Sequence, residues 1–129
     1  FDDADLTVSM VRAGDVYVSS STSEGLGTSI LEALASGTPV VATRAGGADE
    51  MVIPHRTGWL VPVGDPEALA NAVAECLRRP EDAGIMAKMG RELAETAFSA
   101  EKMIEGTLAV YTRLLDGAGP EEGDLPWAT

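Results

Sequence analysis

One stretch limits what this chain can fold into more than any other. Residues 15–43 run through a strand pattern, a serine-rich turn, a helix pattern and a second strand pattern without a break. Asp15-Val16-Tyr17-Val18-Ser19 is β-branched and aromatic, which reads as a strand. A serine-rich loop follows over residues 19–23. The spacing then predicts a helix from about Gly27 to Ser36. Ile30, Leu31, Leu34 and Ala35 form its apolar face, and Ser29, Glu32 and Ser36 its polar stripe. Gly37 supplies the left-handed residue that ends it. Thr38-Pro39-Val40-Val41-Ala42-Thr43 is an apolar run of the kind buried on both faces of a parallel sheet. Strand, helix and strand within about thirty residues make a right-handed βαβ unit.

The flanking segments extend this α/β reading. Residues 5–13 form a short helix capped by Asp5, with Leu6, Met10 and Val11 on one face. Arg44-Ala45-Gly46-Gly47 is a turn, and residues 48–52 a helical turn. Gly58-Trp59-Leu60-Val61-Pro62 is a third strand, placed near the sheet edge by its proline. Asp65-Pro66 opens a helix with Leu69, Ala72, Val73, Cys76 and Leu77 inward, stopped by Pro80. Residues 81–97 form another helix, with Ile85, Met86, Met89 and Leu93 inward. Ser99 caps a last helix with the stripe Met103, Ile104, Thr107, Leu108, Tyr111, Leu114 and Leu115. From residue 116 the composition turns to Gly, Pro and Glu, so residues 116–129 are expected to be a disordered tail, Trp127 included.

The expected fold is therefore a partial Rossmann-like parallel sheet of about three strands, with helices on both faces and a C-terminal helical segment. A doubly wound domain has roughly five or six strands. The first half of the domain is expected to be missing, and the chain, which starts at Phe1, to be a fragment or processed product.

Composition excludes several classes of function. Asp and Glu total 21 against 9 Lys and Arg, a formal charge of -12. Such a surface repels phosphate backbones and anionic headgroups, so nucleic-acid binding is not expected. No apolar run approaches the roughly 18 residues that span a bilayer, so no direct membrane insertion is expected. The single cysteine, Cys76, permits neither an internal disulfide nor a cysteine-based zinc site and fits a reducing compartment. Cytoplasmic localisation is expected, with membrane association left open for the full-length protein.

In open α/β sheets, ligands collect beyond the carboxyl ends of the strands, where residues 20–29 fall. Gly25 and Gly27 let the backbone approach a ligand and take up strained turns. The amides of Gly27, Thr28 and Ser29 begin a helix, where orphan donors and the dipole favour an anion such as phosphate. Glu24 and Glu32 would repel a phosphate but accept hydrogen bonds from hydroxyls. A nucleoside diphosphate sugar carries hydroxyls at both ends and phosphates between, and would satisfy all of these groups.

The spacing of the two glutamates alone is a weak signal; its setting is specific. Glu24-Gly25-Leu26-Gly27, then Glu32-Ala33-Leu34-Ala35-Ser36-Gly37-Thr38-Pro39-Val40-Val41-Ala42-Thr43, then Gly46-Gly47 with Glu50, closely resemble the retaining glycosyltransferases of family 4, which have the GT-B fold. Thr57-Gly58-Trp59-Leu60-Val61 and Gly64-Asp65-Pro66-Glu67-Ala68-Leu69 share the resemblance, which covers roughly residues 5–115. It implies that Glu24 is the catalytic carboxylate beside the donor sugar, acting by transition-state stabilisation or as a nucleophile. It implies that Gly25, Leu26, Gly27, Thr28 and Ser29 hold the sugar and diphosphate, and that Glu32 binds the ribose hydroxyls. It further implies no catalytic metal and no cofactor, the nucleotide sugar being a substrate. Leu26 stands where the family usually has phenylalanine, and Thr28-Ser29 replaces a commonly aliphatic pair. The family's Arg and Lys that neutralise the diphosphate, and its N-terminal acceptor-binding domain, lie upstream of this chain. Arg12 and Arg44 have no motif support as substitutes, so the piece alone is expected to transfer no sugar.

The alternative reading is a non-catalytic nucleotide-sugar-binding or interaction module. A GT-B phosphorylase or epimerase is a weaker reading; phosphorylase chemistry would need a lysine for its cofactor, and neither Lys88 nor Lys102 lies near the motif. Gly46-Gly47 reads as a turn rather than a ligand contact, Glu50 as a brace for that loop or a site residue, and His55 as part of a surface turn. Cys76 reads as core.

Overall fold

The computed structural model describes residues 4–117. The expectations for the acidic N-terminus before Ala4 and for the tail over 118–129, Trp127 included, lie outside the described residues. The described residues form two compact units, dividing between Glu95 and Thr96.

The first unit carries the sheet. Its elements are α1 (Ala4–Ala13), β1 (Tyr17–Ser19), α2 (Thr28–Ser36), β2 (Val40–Thr43), α3 (Ala48–Met51), β3 (Trp59–Val61), α4 (Pro66–Arg78) and nearly all of α5 (Pro80–Ala97). The strands are parallel in the order β1-β2-β3, so β2 is central and β3 lies at an edge, as its neighbouring proline suggests. Tyr17, Val18 and Ser19 align with Val40, Val41 and Ala42, and Val41, Ala42 and Thr43 with Trp59, Leu60 and Val61. Every residue of β2 is buried, the signature of a strand covered on both faces. Val41, Trp59 and Val61 pack with Ala72 and Cys76 of α4 and Ala83 of α5. On α2 the buried face is Ile30, Ala33 and Leu34. Ala35, expected inward, is exposed. Cys76 is core, and burial raises its thiol pKa.

Two further expectations change. Asp5 lies inside the first turn of α1 instead of capping it. Pro80 does not simply stop α4; it is the first residue of α5. A proline at that position lacks only an amide that the helix would leave unpaired. It also disfavours helical backbone at Arg79, which separates the two helices. The inward face of α5 is Ala83, Ala87, Gly90 and Ala94. The bulkier Ile85 is 59% exposed, and Met86, Met89 and Leu93 are half-buried. Small residues bring the helix close: a Cβ on Gly90 would lie 2.6 Å from Leu34 Cδ2.

α4 begins as the sequence predicts. Asp65 Oδ1 accepts the Ala68 amide at 2.8 Å, with Pro66 following. Replacing Asp65 by Ala is expected to lower stability by about 1 kcal/mol, and Asn to retain most of it. Urea unfolding midpoints check this, since an Asn carbonyl accepts the same amide.

The second unit contains α6 (Ala100–Leu115), which Ser99 caps by accepting the Lys102 amide at 3.2 Å. None of its residues is buried. Met103, Ile104, Leu108, Tyr111 and Leu115 of the expected apolar stripe are exposed. Asp116 and Gly117, assigned to the tail by composition, complete the end of α6, their amides reaching Thr112 O and Leu114 O.

Candidate functional site

The site is built on the loop between β1 and α2. Thr43, the last residue of β2, is buried, and its hydroxyl donates to the Ser21 carbonyl at 2.6 Å. Ser21 Oγ in turn donates to Glu24 Oε1 at 2.6 Å. Glu24 is half-buried, while Gly25, Leu26 and Thr28 are exposed. Leu26 is 56% exposed at the loop tip.

The loop's two glycines do different things. Gly27 takes φ 76°, caps α2 without a side-chain hydrogen bond, and lies where a Cβ would approach Met51 Cε to 3.1 Å. Only glycine adopts that conformation readily. Gly25 has no positive φ, and a Cβ there would meet nothing within 4 Å. No strained turn requires Gly25, contrary to the sequence reading; the space beside it is open.

The Gly27 carbonyl accepts the amides of Ile30 at 2.9 Å and Leu31 at 3.4 Å. Among the described residues, no acceptor serves the amides of Thr28 and Ser29. The first turn of α2 carries no acidic residue. Two donors at the positive end of a helix dipole are thus left for an anion.

A second loop clamps the first. The Gly47 amide donates to the Gly25 carbonyl at 3.2 Å. Gly46, at φ 56°, lies so close to the Glu24 carbonyl that a Cβ would overlap it. Gly46-Gly47 is therefore a turn, and its backbone is the brace. Glu50 is exposed and adds its own amide to the Gly47 carbonyl at 3.2 Å. Arg44 is ion-paired with Asp49 at 2.8 Å. His55 lies in an exposed turn with φ 60°.

Glu24 does not line the groove that Glu32 lines. Glu32, exposed on α2, lines a groove of about 170 Å³ with Thr7, Val8 and Val11 of α1 and Ser36. A separate cavity of about 170 Å³ lies beyond the carboxyl ends of β1 and β2, lined by Ser20, Thr22, Thr43 and the start of α4. Glu24 lines neither. Sequence reading missed Ser21, Thr43 and the clamp by Gly46. The serine three residues before Glu24 was the available signal for the first. The others depend on contacts between loops distant in sequence.

Residues 2–93 match the family model of glycosyl transferases group 1. The chain belongs to that family. It is 39% identical over 104 residues to D-inositol 3-phosphate glycosyltransferase of Saccharomonospora viridis, covering 81% of this chain and 24% of that protein. Among solved structures it is similar to sucrose-phosphate synthase from Thermosynechococcus elongatus, with a TM-score of 0.76 and 38% identity, over 84% of this chain and 27% of that one. It is also similar to HepE of Anabaena in complex with UDP, with a TM-score of 0.72 and 31% identity, over 78% of this chain and 29% of that one. The same Anabaena protein has been crystallised with UDP-glucose. The chain spans about a quarter of the length of the curated relatives it matches. The three-stranded parallel sheet with its helices matches part of the C-terminal domain of GT-B glycosyltransferases. No helix among the described residues is long and apolar enough to cross a membrane.

Proposed function

We propose that this chain is the donor-binding part of a retaining, family-4 glycosyltransferase that takes a nucleoside diphosphate sugar. One observation carries the reading: a single loop holds the Glu24 carboxylate in place and presents the unpaired Thr28 and Ser29 amides at the carboxyl end of the sheet. The similarity to a protein crystallised with UDP and UDP-glucose supports it.

In this reading the diphosphate sits on the amides at the start of α2, where the helix dipole stabilises the charge that builds as it departs. Gly25 and Leu26 flank the sugar, and Glu24 accepts its hydroxyl hydrogens and faces the positive charge developing at the anomeric carbon. The bond from that carbon to the leaving phosphate oxygen breaks, and an acceptor hydroxyl attacks from the same face, its proton passing to the departing phosphate oxygen. Glu32, on the exposed side of α2, accepts the ribose hydroxyls. No resident metal or cofactor takes part. The cations that complete diphosphate neutralisation and the acceptor-binding domain belong to the rest of the enzyme, so this chain binds donor without turnover.

Calorimetric titration with UDP-, GDP- and ADP-sugars tests the reading. Glu32→Ala is expected to weaken the tightest of them about tenfold, the loss of roughly one hydrogen-bonded carboxylate. It should weaken the corresponding free nucleotide equally, because the ribose is common to both. Unchanged affinity for every nucleotide that binds would remove Glu32 from the ribose.

A further inference from the structure

We propose that Ser21 is a positioning residue for Glu24, and that Thr43 positions Ser21. The proposal rests on the reading of Glu24 as the carboxylate that meets the donor sugar. A glutamate in a glycine-flanked loop has many rotamers available, and only a few would place its carboxylate against a particular hydroxyl. Here one oxygen is fixed. Ser21 Oγ donates to Glu24 Oε1 at 2.6 Å, within the short range of charge-assisted bonds. Among the described residues no partner occupies Oε2, which leaves that oxygen for a ligand. The serine is itself fixed through its carbonyl, which accepts from Thr43 Oγ1 at 2.6 Å.

Thr43 is 5% exposed and ends the central strand, paired in register with Val61 of β3. Two hydrogen bonds thus connect the buried end of the central strand to a carboxylate on the β1–α2 loop. The backbone below that carboxylate is pinned independently, by the Gly47 amide on the Gly25 carbonyl at 3.2 Å. With the backbone held by the Gly46-Gly47 loop and the side chain by Ser21 of its own loop, the carboxylate is oriented before a ligand arrives.

The competing explanation is that the Ser21–Glu24 bond only shapes the turn. The two differ in what they do to nucleotide without sugar. The same loop leads into the α2 amides, so a distorted turn would weaken nucleotide and sugar nucleotide alike. A misaimed Glu24 would weaken only the sugar nucleotide. Calorimetry of the complete chain with UDP-, GDP- and ADP-glucose, and with UDP, GDP and ADP, gives the affinity that the sugar adds for the tightest pair. Ser21→Ala is expected to reduce sugar-nucleotide affinity about tenfold and to hold nucleotide affinity within about twofold. Ser21→Thr, which keeps the hydroxyl, should restore the difference. Thr43→Val should reproduce the selective loss, and Thr43→Ser should not. Equal weakening of both ligands by Ser21→Ala overturns the proposal. So does no effect of Ser21→Ala where Glu24→Gln abolishes the sugar's contribution. If Glu24→Gln leaves that contribution intact, the donor reading of Glu24 falls, and the role of Ser21 with it.

Discussion

Gly46→Ala is expected to displace the Glu24-Gly25-Leu26 segment and to weaken sugar-nucleotide binding by about two orders of magnitude. Two penalties combine at this position. The backbone is held at φ 56°, a conformation that disfavours any side chain by about 1–2 kcal/mol. The added methyl would also overlap the Glu24 carbonyl and lie 2.9 Å from the Gly25 carbonyl. Both neighbours are backbone, so neither relieves the overlap by changing a rotamer. The clamp must open, taking the Gly47–Gly25 hydrogen bond with it. Together these reach about 3 kcal/mol, of which every 1.4 kcal/mol is a factor of ten in affinity. Titration with a sugar nucleotide and thermal unfolding read the two consequences separately. Gly25→Ala, at a position with open space and no positive φ, is the stability control and should unfold within about 0.5 kcal/mol of the parent. A Gly46→Ala protein with parental stability and affinity would show that the second loop does not brace the first.

The second large effect falls on the core. Leu34→Ala is expected to destabilise the first unit by about 3 kcal/mol or more. Leu34 is fully buried on α2, and Gly90 of α5 lies against it closely enough that a Cβ there would clash. Truncating the leucine leaves a void facing Gly90, which has no side chain to fill it. Collapse to fill it would have to move whole helices. Natural domains have about 5–15 kcal/mol of stability in all, so the fraction lost is large. Leu34→Met, of similar volume, should cost about 1.5 kcal/mol or less. Denaturant unfolding of the two variants against the parent decides the matter. A Leu34→Ala loss below about 1 kcal/mol would mean that the α2–α5 contact is looser than described.

Much of the architecture was legible in the chain. Val40, Val41 and Ala42 read as a strand covered on both faces, because consecutive apolar residues offer no polar face to water, and Thr43 is buried with them. Asp65-Pro66 and Ser99 fixed two helix starts through local hydrogen bonding. Gly37 fixed a helix end, its amide closing on Leu34 O at 2.9 Å. Such signals are short-range, set by neighbours along the chain. The sequence reading failed where a small residue faced inward. On α5 it chose Ile85 over Ala83, because hydrophobicity ranks the larger side chain first. The packing instead uses alanine and glycine to bring the helix close, and closeness is a property of two elements together.

The candidate site divides in the same way. By itself the sequence determined that residues 20–29 form a glycine-bearing loop leading into a helix after a strand. It also determined that Glu24 precedes the helix and that Glu32 lies on its polar side. These follow from chain order and from the two periodicities of regular structure. Only the tertiary structure decided that Thr43 holds Ser21, that Ser21 holds Glu24, that Gly46 closes on the Glu24 backbone and that Glu32 lines a groove shared with α1. Most of these contacts join residues brought together by sheet pairing and helix packing. Hydrogen bonds and steric exclusion act over a few ångströms, so such contacts become determinate only once the strands are in register.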